Sequence, residues 1–502
     1  MLMKTLSCFR SFEKDVSQDH IGEMTLRFQK AFALHRALKI AHANKEQGIP
    51  VLRVFSYLFA LAFRNLSLYR AVQFDESEGG FGKDVCHRFL KSPTTDWQLF
   101  LNVLSSRVMR WLSALTSDER KETFIIDDTS YKRNRARRVE LIARQYDHCL
   151  HEYYLGFRCL CLAWSDGNTT IPVDYALLSS EKQRGALEAS RLDRRSRKFR
   201  VRSEAVMKAT TVVLRLLKRA IKVGFKTQYV LFDSWFTCPS LLSELTKLGL
   251  KTIGMVKQGE KMLYSFNGQL VPIKAIYAQN CKRRGRSKYL LSVETTLCRK
   301  GTKNEEALSI PVKLVFVRNT EAKARKAKNY FVLLSTDTTL SEEEIIQLYQ
   351  RRWSIEVFFQ VCKTYLRFAK ESHGVSYDSM RAYIAVEFAR YLMLAWLQRM
   401  NTDDRTMGEI FYRYAEELKE PDWLTALKEL LCVIFESASE NIETFAANVT
   451  KQVGRFLAQL PSQVMKRLQE LGCPQTLSAV RLFVLKKRCL LLRSFAVLGC
   501  EE

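Results

Sequence analysis

Two short runs constrain the fold of this chain more than any other stretch. Thr123–Ile126 (TFII) and Tyr229–Phe232 (YVLF) are apolar at nearly every position, and an aspartate follows each. The first is Asp127, in Asp127-Asp128-Thr129; the second is Asp233, in Asp233-Ser234-Trp235-Phe236. A strand with one face in water alternates apolar and polar residues, whereas a strand apolar throughout is covered on both faces. Such strands lie inside α/β sheets, where polar chemistry gathers beyond the strand ends. A single aspartate there commonly starts a turn or caps a helix. Two at matching positions point to a shared site.

The surrounding pattern gives the order of elements. The stretch YYLGFRCLCLAWSDGNTTIPVDYALL reads as two strands about the turn Ser165-Asp166-Gly167-Asn168. A helix over 206–223, a helix over 239–248 stopped by Gly249, and a strand over 251–256 bracket the second run and follow it. Three strands, helix, strand, helix, strand is the order of a ribonuclease-H-like α/β sheet. Between Val256 and Ser341, five segments alternate or run β-branched: 262–266, 269–278, 289–297, 310–317 and 330–334. Asn267-Gly268 supplies a hairpin turn. The expected organisation is a helical N-terminal DNA-binding region (1–118), a ribonuclease-H-like catalytic core (119–256), a β-rich insertion (257–340), the second part of the core (341–398) and a helical C-terminal region (399–502). In the first region, two helices parted by Ser92-Pro93-Thr94 suit either a helix-turn-helix DNA reader or a packing unit.

Ser341–Leu366 reads as one long helix, opened by a Ser341/Glu344 capping box with Glu342 and Glu343 at the positive end of the dipole. Tyr349, Arg352, Glu356 and Lys363 fall within a stripe about 60° wide at about 100° per residue. The flanks Ile355, Val357, Phe358, Phe359 and Val361 are apolar, so this helix is expected to be buried on its other sides. A carboxylate between two cations, facing inward, suits a site that handles metal and phosphate.

Charge names the class of partner. Lys and Arg total 80 against 53 acids, a formal net charge of +27. Basic segments recur at 131–138, 191–202, 282–288 and 323–328. A polyanion is the natural ligand, and nucleic acid is favoured over a membrane surface. The best membrane candidate, Val51–Leu68, is interrupted by Arg53 and Arg64. The thirteen cysteines include no CxxC pair and read as reduced core residues of a cytoplasmic protein. The first residues lack the apolar core of a secretion signal.

With these residues assembled, the chain resembles the bacterial insertion-sequence DDE transposases with a YREK signature, the insertion-sequence-four type. Tyr349, Arg352, Glu356 and Lys363 match that signature at all four positions. Asp127-Asp128-Thr129 matches the D-x-[ST] context of the first aspartate, and Asp233-Ser234-Trp235-Phe236 the second, with its nearby aromatic. The family also carries a β-rich insertion before its glutamate. Neighbours on a strand point oppositely, and the D-x-T register favours Asp127 over Asp128.

The resemblance implies cleavage at insertion-sequence ends and strand transfer. Asp127, Asp233 and Glu356 would be the catalytic, metal-binding triad for two Mg2+ ions, with Mn2+ able to replace them. Tyr349, Arg352 and Lys363 would grip phosphates, with Trp353 near the terminal bases. The implied partners are the terminal inverted repeats, the target DNA and a second copy of the chain, in a cytoplasmic, nucleoid-associated setting. Some members hold a flipped base on a tryptophan of the insertion. No tryptophan occurs in 257–340, and Tyr264, Phe266 and Tyr289 are the candidate substitutes. Two alternatives stay open: a ribonuclease-H-fold nuclease that cuts without joining, and a DNA-binding derivative without catalysis.

Overall fold

The computed structural model describes residues 23–400, less short segments of which 72–80, 300–306 and 320–329 are the longest, together with Met407. Of the helical region expected over 399–502 only residues 399, 400 and 407 are described, and the basic run 323–328, Arg191 and Arg286 lie outside the described residues. The described elements belong to a compact unit, Met24–Phe411.

Helices come first: α1 (Glu23–Ala31), α2 (Leu34–Ile40), α3 (Val51–Ala60), α4 (Lys83–Leu90) and α5 (Trp97–Ser113). Strands β1 (Thr123–Lys132), β2 (Ala143–Asp147), β3 (Glu152–Ser165) and β4 (Thr170–Leu178) follow. Then come α6 (Arg184–Glu188), α7 (Arg197–Ala205), α8 (Ala209–Lys222), β5 (Tyr229–Phe232), α9 (Pro239–Lys247) and β6 (Lys251–Met255). The next stretch holds β7 (Leu263–Phe266), β8 (Gln269–Pro272), α10 (Ile273–Gln279), β9 (Tyr289–Arg299), β10 (Leu308–Arg318) and β11 (Tyr330–Ser335). The described part closes with α11 (Glu342–Gln350), α12 (Trp353–Thr364) and α13 (Tyr377–Met400).

The strands form one mixed sheet in the order β2-β3-β1-β5-β6-β11-β10-β9-β7-β8, with β4 paired to β3. Pairing is parallel between β1, β5 and β6 and antiparallel between β1, β3 and β4. The run β4-β3-β1-β5-β6 is a mixed sheet consistent with a ribonuclease-H-like domain. Past β6 the sheet continues through β11, so strands from 257–340 extend the same sheet.

The apolar runs explain where the core sits. Phe124, Ile125, Ile126, Val230, Leu231 and Phe232 are wholly buried, as double coverage requires. Each such side chain contributes about 1.5–3 kcal/mol of burial. β4 is buried at every position, under α5, α8 and α13. Gly156 lies where β3 meets β1: its φ is +158°, and a Cβ there would stand 2.2 Å from the Tyr131 carbonyl oxygen. Only glycine permits so close an approach.

Several expectations are corrected. The strand starting at Thr123 runs on to Lys132, because β3 continues to pair with it beyond Ile126. Residues 269–278 are β8 followed by helix α10, which packs on β7 and β8. The periodicity from Met24 to Ala43 is broken at Ala33, which is left-handed (φ 45°). The single helix over Ser341–Leu366 is two helices. Helix α5 exposes only Arg110. Gln98 donates to Tyr175 O (2.7 Å) and Ser105 to Pro172 O (2.6 Å). α5 packs against β4, α2 and α13. Among the described residues, no helix is long and apolar enough to cross a membrane.

Candidate active site

Asp127 and Asp233 meet because of register. Ile126 opposes Phe232 as the last parallel pair of β1 and β5, so the next residue of each strand is one of these aspartates. Asp233 Oδ1 accepts the backbone N–H of Trp235 (2.9 Å) and of Phe236 (3.4 Å), which fixes the turn leaving β5. Asp127 Oδ1 accepts the backbone N–H of Asp128 (2.8 Å).

The third group arrives on α12. The chain between α11 and α12 is tightened by i→i+3 bonds: Arg352 N to Tyr349 O (3.0 Å), Ser354 N to Arg351 O (3.0 Å) and Ile355 N to Arg352 O (3.2 Å). Arg351 anchors this joint by donating to the carbonyl of Lys121, with its guanidinium against Gly167. Arg352 faces the other way. Its Nη2 donates to Glu356 Oε1 (2.7 Å) and its Nη1 to Asp127 Oδ2 (3.4 Å). One guanidinium therefore links Glu356 to Asp127. Tyr349 lies beside it, with the Arg352 guanidinium 5.8 Å from its ring centroid. The Tyr349 hydroxyl is buried beside that guanidinium.

The inner face of α12 is apolar as expected: Ile355, Phe358, Phe359, Val361 and Cys362 are buried, and Phe358 packs on Phe388 and Tyr391 of α13. Val357 is the exception. It is exposed, and so is Trp353 one turn earlier. Lys363 is exposed and lines a cleft of about 960 Å3 that also reaches Asp127, Asp128, Arg158, Asp233, Trp235, Lys257 and Lys370.

Electrostatics mark Asp127. Burial above all, then the like charges of Asp128 and Asp233, push its carboxyl up to about 7; the Asp128 N–H and Arg352 act the other way. Burial lifts the Tyr349 phenol to about 12. The Arg352 guanidinium is held charged: burial opposes this, but Tyr349, Glu356 and Asp127 outweigh it. Asp128 is differently occupied. It is ion-paired with Arg158, whose guanidinium stacks 4.6 Å from the Trp235 ring centroid. This division separates the adjacent aspartates, as strand alternation anticipates.

Two sequence expectations fail here. Tyr264 is wholly buried and Tyr289 nearly so, so neither offers a surface to a base, whereas Phe266 is half-buried. Arg158, Lys257 and Lys370 were not singled out in the sequence.

Asp127 within β1 and Asp233 just past β5 are brought together by register. Residues 70–307 match the family model of the DDE superfamily endonucleases. The match supports a nucleic-acid-cleaving enzyme of the DDE type. Its span includes Asp127 and Asp233 and ends before Tyr349–Lys363. No curated protein matches the chain.

DDE enzymes generally use divalent metals, and the donor chemistry here fits one. Carboxylate oxygens are hard ligands suited to Mg2+, and Asp127 is buried beside the like charges of Asp128 and Asp233. Among the described residues, however, no three His, Cys, Asp or Glu side chains are already gathered closely enough to hold a metal. The Arg352 guanidinium lies between Asp127 and Glu356 instead. Metal binding by all three carboxylates thus requires Arg352 to release Asp127.

Proposed function

We propose that this protein is a DDE transposase of the YREK type, cutting DNA at the ends of an insertion sequence and joining the cut 3′ ends to a target. The observation that carries this reading is the Ile126/Phe232 register, which sets Asp127 beside Asp233, with Glu356 joined to Asp127 through Arg352. Asp127, Asp233 and Glu356 would hold two Mg2+ ions, or Mn2+ in their place. Bound there, the ions supply Lewis acidity toward the phosphate and a more acidic attacking water or 3′-hydroxyl.

The chain's own residues do the rest. Arg352, freed from Asp127, turns to a phosphate oxygen, with its planar fork suited to bidentate contact. Lys363 neutralises a neighbouring phosphate as a point charge. The buried Tyr349 hydroxyl donates to the same strand. Trp353 lies against terminal bases. Residues 257–340 are read as an insertion that extends the catalytic sheet, and the active form on paired ends as a homodimer in the bacterial cytoplasm.

The test uses purified full-length protein, Mg2+ and the DNA flanking its reading frame. Wild type should nick at the element ends and join them to target, while Asp233→Ala and Glu356→Ala should do neither. Cleavage without joined products would instead favour a ribonuclease-H-fold nuclease. Retained cutting by both variants would overturn the site.

A further inference from the structure

We infer that Arg351 is a positioning residue for the cleavage reaction: clamped by the turn between β3 and β4, it sets where α12 presents Glu356 to Asp127. The inference rests on the DNA-cleaving reading above. Arg351 lies outside the signature of Tyr349, Arg352, Glu356 and Lys363.

The turn is braced from within. Asp166 is wholly buried. Its Oδ1 accepts the backbone N–H of Asn168 (2.8 Å) and of Thr169 (2.7 Å), and its Oδ2 accepts the Thr116 hydroxyl (2.8 Å). The Ser165 hydroxyl accepts the Gly167 N–H (3.1 Å). This turn meets the α11–α12 joint at Gly167 and at Thr170. Gly167, at φ +92°, leaves room for the Arg351 guanidinium; a Cβ there would stand 2.9 Å from its Cζ. The Thr170 hydroxyl donates to the Ser354 hydroxyl (2.6 Å), which donates to the Arg351 carbonyl (2.7 Å).

The joint is tied as well to the strand that carries Asp127. Arg351 donates to the carbonyl of Lys121, two residues before β1, and the Lys121 ammonium pairs with Glu344 of α11. What the clamp fixes is helical phase. An α-helix advances about 100° per residue and a 3₁₀ turn about 120°. The three i→i+3 bonds at the joint therefore turn α12 by about 60° relative to an unbroken helix. Relaxation of the joint toward α-helix would carry Glu356 away from Asp127.

The experiment uses full-length protein with Mn2+ alone as the first probe, titrated by electron paramagnetic resonance. The proteins are wild type, Arg351→Ala, Glu356→Ala and the double variant. Loss of a residue that orients a metal ligand typically costs about 10- to 100-fold in metal affinity. Arg351→Ala should weaken Mn2+ binding by at least about tenfold. It should add nothing in the Glu356→Ala background, because it acts through that carboxylate. DNA affinity without metal should stay the same, while single-turnover cleavage with Mg2+ falls. Arg351→Lys, which can still reach the Lys121 carbonyl, should recover part of both losses. A lower melting temperature with unchanged Mn2+ affinity would make Arg351 a stabilising residue only and overturn the inference. Equal loss of Mn2+ affinity in both backgrounds would overturn it too. Should Arg351→Ala not fold, Gly167→Ala, which crowds the guanidinium without removing it, carries the same comparison. In each case wild-type cleavage leaves the transposase reading standing, whereas a wild type that neither binds Mn2+ nor cuts DNA ends both.

Discussion

Asp127 carries the most informative charge in the protein. Its carboxyl is raised to about 7 in the folded chain, chiefly by burial, against about 3.9 for an unperturbed aspartate. A raised acid favours folding while protonated. Its contribution is therefore complete below about pH 4 and lost as the pH rises through about 7. The ceiling on this effect is about 4 kcal/mol. The metal-free protein should melt at a lower temperature at pH 8 than at pH 5, and Asp127→Asn should flatten that difference. An unchanged slope in the variant would place the titration elsewhere. Protons and metal compete for the same oxygens, so Mn2+ affinity should rise between pH 6 and 8. Arg352 is the second decisive residue. Arg352→Lys keeps a charge but loses the fork that spans Asp127 and Glu356. Cleavage by this variant should fall by at least about tenfold, one hydrogen bond to a charged group, while the melting temperature changes little. Wild-type turnover would show that the guanidinium has no part in the reaction.

At the scale of elements, α13 is tied to the core by a buried ion cluster. Arg202 of α7 is almost wholly buried and donates to Glu140 (2.5 Å) and Asp378 (2.7 Å). Glu140 also accepts the backbone N–H of Tyr377, the first residue of α13. Removing one member of such a cluster strands the others, at about 3–5 kcal/mol. Arg202→Met should lower the melting temperature sharply, and an unaffected variant would mean the cluster adds nothing to α13 docking. Sequence pattern made some elements legible and hid others. The runs before Asp127 and Asp233 were readable because both faces are covered, leaving no polar position to blur the strand. The remainder of β1, DDTSYK, was not: its burial alternates, and its strand form depends on pairing with a distant β3. Residues 273–278 are apolar and β-branched enough to imitate a strand, but α10 packs across β7 and β8. The joint at Arg351 and Arg352 leaves no mark in composition, since arginine is a good helix former. It depends on a tertiary hydrogen bond to Lys121 O. Of the site, the two aspartates and the helix bearing Glu356 were readable. The Arg352 bridge and the Arg158–Trp235 stack were not, because both join residues far apart in sequence.

For the whole molecule, the excess of basic residues sets how binding responds to salt. Each phosphate neutralised releases condensed counterions, and affinity falls as a power of salt concentration. With a net charge of +27, DNA affinity should drop steeply between low and moderate salt. Lys363→Ala should reduce the log–log slope by about one if that ammonium meets a phosphate. An unaltered slope would remove Lys363 from the interface. The sheet brings residues from β1, β3, β5 and α12 to one end, so cleavage chemistry and charge share a single cleft. The most direct measurement of whether this cleft is a metal-dependent active site is anomalous diffraction from Mn2+-soaked crystals of the full-length chain. The expected result is manganese held by Asp127, Asp233 and Glu356, with Arg352 turned away from Asp127. Manganese bound elsewhere, or Glu356 still paired with Arg352 and no ion against the two aspartates, would contradict it.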